Sequence, residues 1–171
     1  MRPQDANLAG NVHGGVVMML CDEAGALAAI RHCRSRVVTA AMDRMIFLNP
    51  VYVGHLVTFR SSVNAAWRTS MEVGVRVEAE DITTGVITHT SSAYLTMVAL
   101  DKDGRPLEVP PIVPETDAEN RRHREAELRR ENRLAERSRI IEDRGGMRGG
   151  TLPGFNVPPS TPAAEDPPQL G

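Results

Sequence analysis

The chain has 171 residues, of which 41% are hydrophobic and 4% aromatic, and its formal net charge at pH 7 is -2. This size and composition predict one domain with an aliphatic and methionine-rich core, followed by a tail. The small net charge gives no general attraction to nucleic acid, so we expect no nucleic-acid partner. The apolar runs are all too short for a membrane-spanning helix, so no membrane span is expected.

The N-terminus and the two cysteines indicate a location. The opening residues "MRPQDANLAG" lack the basic and apolar regions of a secretory signal. Cys21 and Cys33 lie ~18 Å apart if they belong to one helix, which is too far for a disulfide. Because free thiols favour a reducing compartment, we expect a cytoplasmic protein.

The first predicted element is a helix from Gly14 to about His32. It begins inside the stretch "GNVHGGVVMMLCDEAGALAAI" and ends about two residues after it. Its apolar residues lie nearly all round the helix, which is typical of a helix buried on most sides. Two carboxylates, Asp22 and Glu23, interrupt this apolar surface. A helix of this kind needs another element, or another chain, to cover it.

Four strands are predicted next, because the hydrophobic period changes to two. They are roughly Arg36–Leu48, "HLVTFRSSV", "EVGVRVEA" and Val86–Leu100, with turns at "NPVYVG", "WRTS" and "DITTG". The third strand has an apolar face of Val73, Val75, Val77 and Ala79 and an opposite face of Glu72, Arg76 and Glu78. This order predicts an α+β fold in which an antiparallel sheet wraps round a central helix. Its charged outer face is expected to pack against another subunit.

The composition changes near residue 116. Residues 117–144 hold nine Arg and eight Asp or Glu, and residues 145–171 are rich in Gly and Pro. The charged region predicts an exposed helix capped by Thr116 or Asp117, lying on or beyond the domain. A partner-binding or coiled-coil helix is the alternative. The last region is expected to be disordered, which divides the chain into 1–116, 117–144 and 145–171.

Several motifs in order carry a resemblance to a family: "NVHGG", "DEAGA", "MDRMIFLNPVYVGHLV", "RTSMEV" and "THTSSAYLTMVALD". From Met1 to about Leu107 the chain resembles the hot-dog-fold acyl-CoA thioesterases, in particular the cytosolic, brain-type acyl-CoA hydrolases. The resemblance implies a hot-dog fold, a homodimer and often a trimer of dimers. It also implies hydrolysis of medium- or long-chain fatty acyl-CoA to the free fatty acid and CoA, which is part of the substrate and not a cofactor. Family members usually have a strand before the segment where Met1 stands, so we expect the first edge strand to be missing unless the start is assigned too late.

Thioester hydrolysis needs an activated water or a nucleophile, and donors for the oxyanion. The helix start offers the backbone N–H groups of Gly14 and Gly15, and the Asn11 side chain could polarise the carbonyl or hold the water. Asp22 is the expected base or nucleophile. Since it lies ~12 Å beyond Gly14 along the helix, we expect Asn11 of one chain to meet Asp22 of another across a two-fold axis. The family resemblance implies the same arrangement.

Each of these residues has a simpler structural interpretation. Asn11 could cap the helix, and Asp22 could be a buried acid paired with an arginine such as Arg44. Glu23 points away from Asp22 and is interpreted mainly as a structural group. His13 is a turn residue, a ligand contact or, less favoured, a general base.

Coenzyme A contacts are expected at the turn "WRTS", where Arg68, Thr69 and Ser70 could bind phosphate and pantetheine groups. An ordinary hairpin turn with an exposed arginine is the alternative. An acyl channel could run along the seam between two central helices, although the same residues are also typical of plain core: Val16, Met19 and Leu20.

Cysteine and histidine spacings match no metal-binding motif, so no metal is expected. Two other functions compete with hydrolysis. One is a non-catalytic acyl-CoA-binding regulator or scaffold, against which the acid Asp22 argues because binding alone needs no buried carboxylate. The other is a hot-dog dehydratase or hydratase, whose candidate pair of His13 and Glu23 is poorly placed within one chain.

Overall fold

The computed structural model describes residues 1–143 of the 171. After a 3-10 turn at Pro3–Asp5, the elements are α1 (Gly14–Cys33), β1 (Arg36–Phe47), β2 (Leu56–Ala66), β3 (Ser70–Asp81), β4 (Val86–Leu100) and α2 (Asp117–Asp143). The four strands form one antiparallel sheet in the order β1-β4-β3-β2. This α+β architecture confirms the predicted fold. The tail predicted to be disordered, 145–171, lies outside the described residues.

Helix α1 packs on one face of the sheet. Its buried positions recur every four residues: Val17, Cys21, Gly25, Ala29 and Cys33. A Cβ placed on Gly25 would lie 3.1 Å from the Cε atom of Met97 in β4, so the glycine permits a close approach of helix to sheet. The predicted apolar face of β3 lies beneath this helix and is buried, as expected from its alternation.

The prediction that α1 is buried on most sides is wrong for the single chain. Met19 and Leu27 are 54% and 64% exposed, and Met18 and Ile30 are also exposed. The physical reason is that one sheet covers one stripe of a helix and leaves the rest uncovered. The apolar residues on the far side of α1 therefore form an unpartnered surface in this chain.

Helix α2 begins with a capping box. The hydroxyl of Thr116 accepts the backbone N–H of Glu119 at 3.2 Å, and the Glu119 carboxylate accepts the backbone N–H of Thr116 at 3.0 Å. Each residue thereby satisfies an N–H group that the helix itself cannot satisfy. Of the two predicted caps, Thr116 is the one used.

Helix α2 lies on the sheet face opposite α1. Glu72 of β3 is fully buried there, and Arg129 of α2 donates to its carboxylate from Nε at 3.0 Å and from Nη2 at 2.7 Å. The sequence predicted that this face packs against another subunit, whereas the chain's own α2 packs on it. Charged residues at every second position of a strand indicate that one face of the sheet is polar. The contact of Glu72 with Arg129 shows that such a polar face can still be buried.

Both cysteines are free, as their predicted separation requires. Among the described elements, neither helix combines the length and apolarity that a membrane crossing requires.

Candidate active site

The first turn of α1 presents unused backbone donors. His13 is the N-cap residue and makes no side-chain capping bond, while its carbonyl accepts the N–H groups of Val16 at 3.0 Å and Val17 at 3.3 Å. Within residues 1–143, no backbone hydrogen bond outside the helix uses the N–H of Gly14 or Gly15. Two donors at the positive end of the helix dipole are thus free to bind an anion or a polarised carbonyl.

Gly14 lies in tight contact with a side chain of β1. A Cβ on Gly14 would lie 3.2 Å from Cζ of Phe47, the last residue of β1, whereas a Cβ on Gly15 would meet nothing within 4 Å. The aromatic ring therefore lies directly against the start of α1. Of the two predicted glycines, Gly14 is enclosed and Gly15 faces outward.

A pocket of about 320 Å³ lies at this helix start. Three asparagines, Asn7, Asn11 and Asn49, line it together with apolar walls that include Val12, Val17 and Phe47. A carbonyl next to an alkyl chain suits such a lining, because the amides and free N–H groups can bind oxygen while the walls contact methylenes.

Asn11 does not cap α1. The hydrogen bonds of the described chain include none from its side chain, and the cap position is occupied by His13. Its side chain is therefore available to a ligand in the pocket. The role predicted for Asn11 in polarising a carbonyl stays a prediction.

Asn7 is a pocket residue that sequence reasoning missed. Its Oδ1 accepts the N–H groups of Ala9 at 2.9 Å and Asn11 at 3.2 Å, which folds the loop before α1 and fixes the side chain. The loop turns at Gly10, whose φ is +80°. The signal in the sequence was an asparagine three residues before a glycine, a pattern typical of side chain-stabilised turns.

Asp22 lies half-buried in the middle of α1, where it faces β1. The Thr39 hydroxyl donates a hydrogen bond to its Oδ1. Asp22 forms no ion pair with any described residue, and Arg44 instead lines a pocket on the α2 side of the sheet. The interpretation as an acid paired with Arg44 is therefore not supported, and Thr39 is a second residue that the sequence did not reveal.

The neighbouring Cys21 is not a nucleophile candidate. Its side chain is fully buried against the sheet, and burial raises the pKa of its thiol to about 11. Since the thiolate is the reactive form, almost none is present near neutral pH. The carboxylate next to it in sequence is the group with access to solvent.

The remaining predicted residues do not line this pocket. Glu23 and the side chain of His13 are exposed, and no hydrogen bond or ion pair in the described part of the chain joins them. The turn of Arg68, Thr69 and Ser70 lies at the other end of the sheet. There the Thr69 carbonyl accepts the N–H of Ala99 at 3.1 Å, so the turn is close to the end of α1 and not to its start.

Within one chain, the two halves of the predicted site are separate. The pocket at the helix start is lined by Asn7 and Asn11 but not by Asp22, which lies about two helical turns further on. No group of three or more His, Cys, Asp or Glu side chains within residues 1–143 is arranged to hold a metal ion. The arrangement offers oxyanion donors at one place and a hydrogen-bonded carboxylate at another.

Comparisons with known proteins identify the family. Residues 9–86 match the family model described as the thioesterase superfamily. The VdlD protein of Helicobacter pylori is 41% identical over 131 residues, which cover 77% of this chain and 75% of VdlD. The chain belongs to the thioesterase superfamily. Residues 9–86, which match the family model, include α1, β1, β2 and β3, and hence Asn11, Asp22 and Thr39.

Solved members of the thioesterase superfamily share the fold over most of the chain. An acyl-CoA hydrolase from Staphylococcus aureus, crystallised with butyryl-CoA, CoA and CoA disulfide, is 35% identical with a TM-score of 0.77. The matched region covers 84% of this chain and 87% of the Staphylococcus aureus chain. An acyl-CoA thioesterase described as hexameric is 38% identical with a TM-score of 0.76 and covers 86% of this chain and 90% of its own.

Three further structures of the Staphylococcus aureus enzyme carry single alanine replacements. The replaced residues are an Asn, an Asp 15 positions after it and a Thr 17 positions after the Asp. These structures show which residue types were tested in that member of the superfamily.

Proposed function

We propose that this acyl-CoA thioester hydrolase cleaves medium- or long-chain fatty acyl-CoA at a site built from two copies of the chain. The observation that carries the proposal is the placement of Asp22, which is hydrogen-bonded to Thr39 two helical turns away from the free N–H groups of Gly14 and Gly15. Family membership supports the reaction class. The acyl length and the composite site are the proposed part.

In the proposed reaction, Asp22 acts as a general base. Thr39 donates to one carboxylate oxygen and leaves the other free to take a proton from water. The water oxygen attacks the thioester carbonyl carbon, and the resulting oxyanion is stabilised by the N–H groups at the start of α1. When the tetrahedral intermediate collapses, the C–S bond breaks and the CoA thiolate receives the proton from Asp22, which gives the fatty acid and CoA.

Two chains are needed because of the helix geometry. Asp22 is ~12 Å along α1 from Gly14, too far for both to act on one carbon. If the uncovered apolar sides of two α1 helices pack antiparallel about a two-fold axis, the Asp22 of each helix lies near the start of the other. The exposed Met19 and Leu27 would then be buried. The hexameric relative supports assembly of the chain into an oligomer.

The asparagine of the site is either Asn11, as the sequence predicted, or Asn7. Asn7, Asp22 and Thr39 follow one another at separations of 15 and 17, the separations of the three residues replaced in the Staphylococcus aureus enzyme. This agreement supports Asn7, which lines the pocket and whose Oδ1 is held by two backbone N–H groups. Asn11 shares that pocket, so both are tested.

Substrate contacts outside the reacting centre are proposed from the same geometry. Across an antiparallel α1 pair, the far end of one sheet approaches the helix start of the partner. Arg68, Thr69 and Ser70 would there bind the phosphate and pantetheine groups of CoA, and His13 would line the entrance. The free Cys21 and Cys33 support a reducing, cytoplasmic location.

The experiment that tests this function is a thiol-release assay across acyl-CoA lengths, followed by subunit mixing. Asp22→Ala is expected to reduce kcat by about 10³-fold, within the range for loss of a general base. Mixing inactive Asp22→Ala chains with inactive Asn7→Ala chains, and separately with Asn11→Ala chains, should restore activity for the asparagine that belongs to the site. One hybrid site then keeps both residues.

Two outcomes contradict the proposal. Absence of turnover with every acyl-CoA tested would exclude the hydrolase activity and favour a binding protein on the same fold. Failure of both mixtures to regain activity, when mixed dimers are demonstrated by native mass spectrometry, would show that each site lies within one chain.

A further inference from the structure

Helix α2 contacts every strand of the sheet on the face opposite α1. The contacts join His123 to Asn64 in β2, Arg129 to Glu72 in β3 and to Tyr94 in β4, and Arg133 to Asp43 in β1. The guanidinium of Arg129 lies 3.7 Å from the centre of the Tyr94 ring. Such a set of charged and hydrogen-bonded contacts fixes the position of α2 along and across the sheet.

The contact to β1 reaches an irregular part of that strand. The pairing of β1 with β4 shifts register between Thr39 and Ala41 and again between Met42 and Arg44. Asp43 is therefore the extra residue of the second irregularity. Bulges interrupt the ladder and redirect side chains, and they are frequent next to active sites.

The same short segment serves both faces of the sheet. Thr39 immediately precedes the first irregularity and donates its hydroxyl to Asp22 of α1, while Asp43 reaches Arg133 of α2 on the opposite face. Because a bulged strand has fewer ladder hydrogen bonds to hold it, its conformation depends more on side-chain contacts. Arg133 supplies such a contact at Asp43, which lies four residues after Thr39.

We propose that Asp43 and Arg133 are positioning residues for catalysis: their ion pair holds the doubly bulged segment of β1 so that the Thr39 hydroxyl is aimed at Asp22. Neither residue touches the substrate. The inference rests on the proposed function only in assigning Asp22 as the base. The structural part, that α2 fixes the segment from Thr39 to Arg44, stands independently.

The electrostatics of the pair fit a positioning role better than a stabilising one. The Asp43 and Arg133 side chains are 14% and 24% exposed. Burial raises the pKa of Asp43 above its ordinary value, although Arg133 acts to lower it, and the nearby Glu72 raises it further. A raised pKa means that the folded chain disfavours the ionised carboxylate, so the pair does not fully offset the cost of its own burial.

Kinetics of the full chain with an acyl-CoA substrate test the proposal. Asp43→Asn and Arg133→Met are expected to lower kcat about tenfold through misplacement of Thr39, with KM changed by less than about twofold because substrate binding is untouched. Asp43→Glu, which keeps the charge, should recover most of kcat. The matched control is Arg121→Met, which removes the exposed pair of Arg121 with Glu125 on the same helix and should leave kcat unchanged.

The tryptophan reports whether α2 stays docked. Trp67, the one tryptophan of the chain, donates from Nε1 to Glu127 at 2.9 Å and lies under the guanidinium of Arg130 at 4.2 Å. We expect its fluorescence to be the same in Asp43→Asn as in the unmodified chain. A loss of kcat accompanied by the emission of an undocked helix would overturn the positioning role, since loss of the helix would then explain the defect.

Hydrogen exchange separates this proposal from the proposed function. In Asp43→Asn, the backbone amides from residue 39 to residue 44 should exchange faster, and in Arg121→Met they should not. If the unmodified chain turns over no acyl-CoA, the proposed function fails, yet this exchange still tests whether the pair holds the segment. Unchanged exchange in Asp43→Asn would overturn the proposal.

Discussion

The two faces of the sheet are held by different forces. On the α1 face, methyl groups and thiols make most of the buried contacts, the half-buried Asp22 is bonded, among the described residues, only to the Thr39 hydroxyl, and Gly25 lets the helix approach Met97 closely. On the α2 face, attachment depends on the buried Glu72 and its two hydrogen bonds from Arg129. Apolar packing is non-directional, whereas a buried ion pair is satisfied in one geometry only. The first face therefore supplies stability and the second supplies a fixed position.

The largest difference should appear when one partner of the buried pair is removed. Arg129→Met is expected to lower the free energy of unfolding by about 3–5 kcal/mol, because Glu72 is left buried without its partner. The double replacement Glu72→Met with Arg129→Met should lose much less, since no charge is then buried. Urea unfolding measures both, and the exposed Arg121→Met should change stability by less than about 0.5 kcal/mol.

A double variant as unstable as Arg129→Met would show that the pair itself stabilises the fold, which would remove the contrast between the faces.

On the apolar face, adding side-chain volume at the tight contact of Gly25 should lower the stability of the fold. Gly25→Val is expected to destabilise by about 1–3 kcal/mol, since its Cβ would already lie within 3.1 Å of Met97. Thermal unfolding followed by circular dichroism measures the effect. Gly15→Ala is the matched control for stability, because its Cβ meets nothing and alanine favours the helix. Equal losses in both variants would argue against the close approach at Gly25.

The attachment of α2 also depends on its first turn. Thr116→Ala removes the acceptor for the Glu119 N–H and should cost about 1 kcal/mol of helix stability. Thr116→Ser keeps the hydroxyl and is expected to retain most of this helix stability. Circular dichroism combined with Trp67 fluorescence would distinguish fraying of the helix start from loss of docking. Fraying without any change at Trp67 is the expected result.

A further effect, confined to alkaline pH, concerns the thiol on the apolar face. Burial raises the pKa of Cys21 from 9.0 to about 11, so the folded chain retains this proton more strongly than the unfolded chain. The corresponding stability is fully present below pH 9 and is lost as the pH rises from 9 towards 11. Alkaline titration of the unfolding free energy should show this decline in the unmodified chain and a shallower one in Cys21→Ala. Identical curves for the two proteins would contradict the assignment.

The elements of the fold could be predicted from local patterns. The apolar run after Gly14 and the period-two runs gave one helix and four strands, with bounds close to those observed for α1, β1 and β4. Helix capping at Thr116 was also readable, because a threonine three residues before Glu119 forms the capping box. These features depend on neighbours in sequence, so the sequence is sufficient for them.

The sequence by itself determined the strands and the helices, and it predicted Asp22 as the carboxylate of the candidate site, since spacing and residue type carry that information. Only the tertiary structure decided that Thr39 meets Asp22, that Asn7 shares the pocket with Asn11, and that Glu72 is buried under Arg129. These contacts join residues 17 and 57 positions apart, or depend on how a loop folds before the helix. No local pattern fixes them. The position of Thr39 depends on the irregular pairing of β1 with β4, and the contact of Glu72 with Arg129 forms only where α2 packs across the sheet.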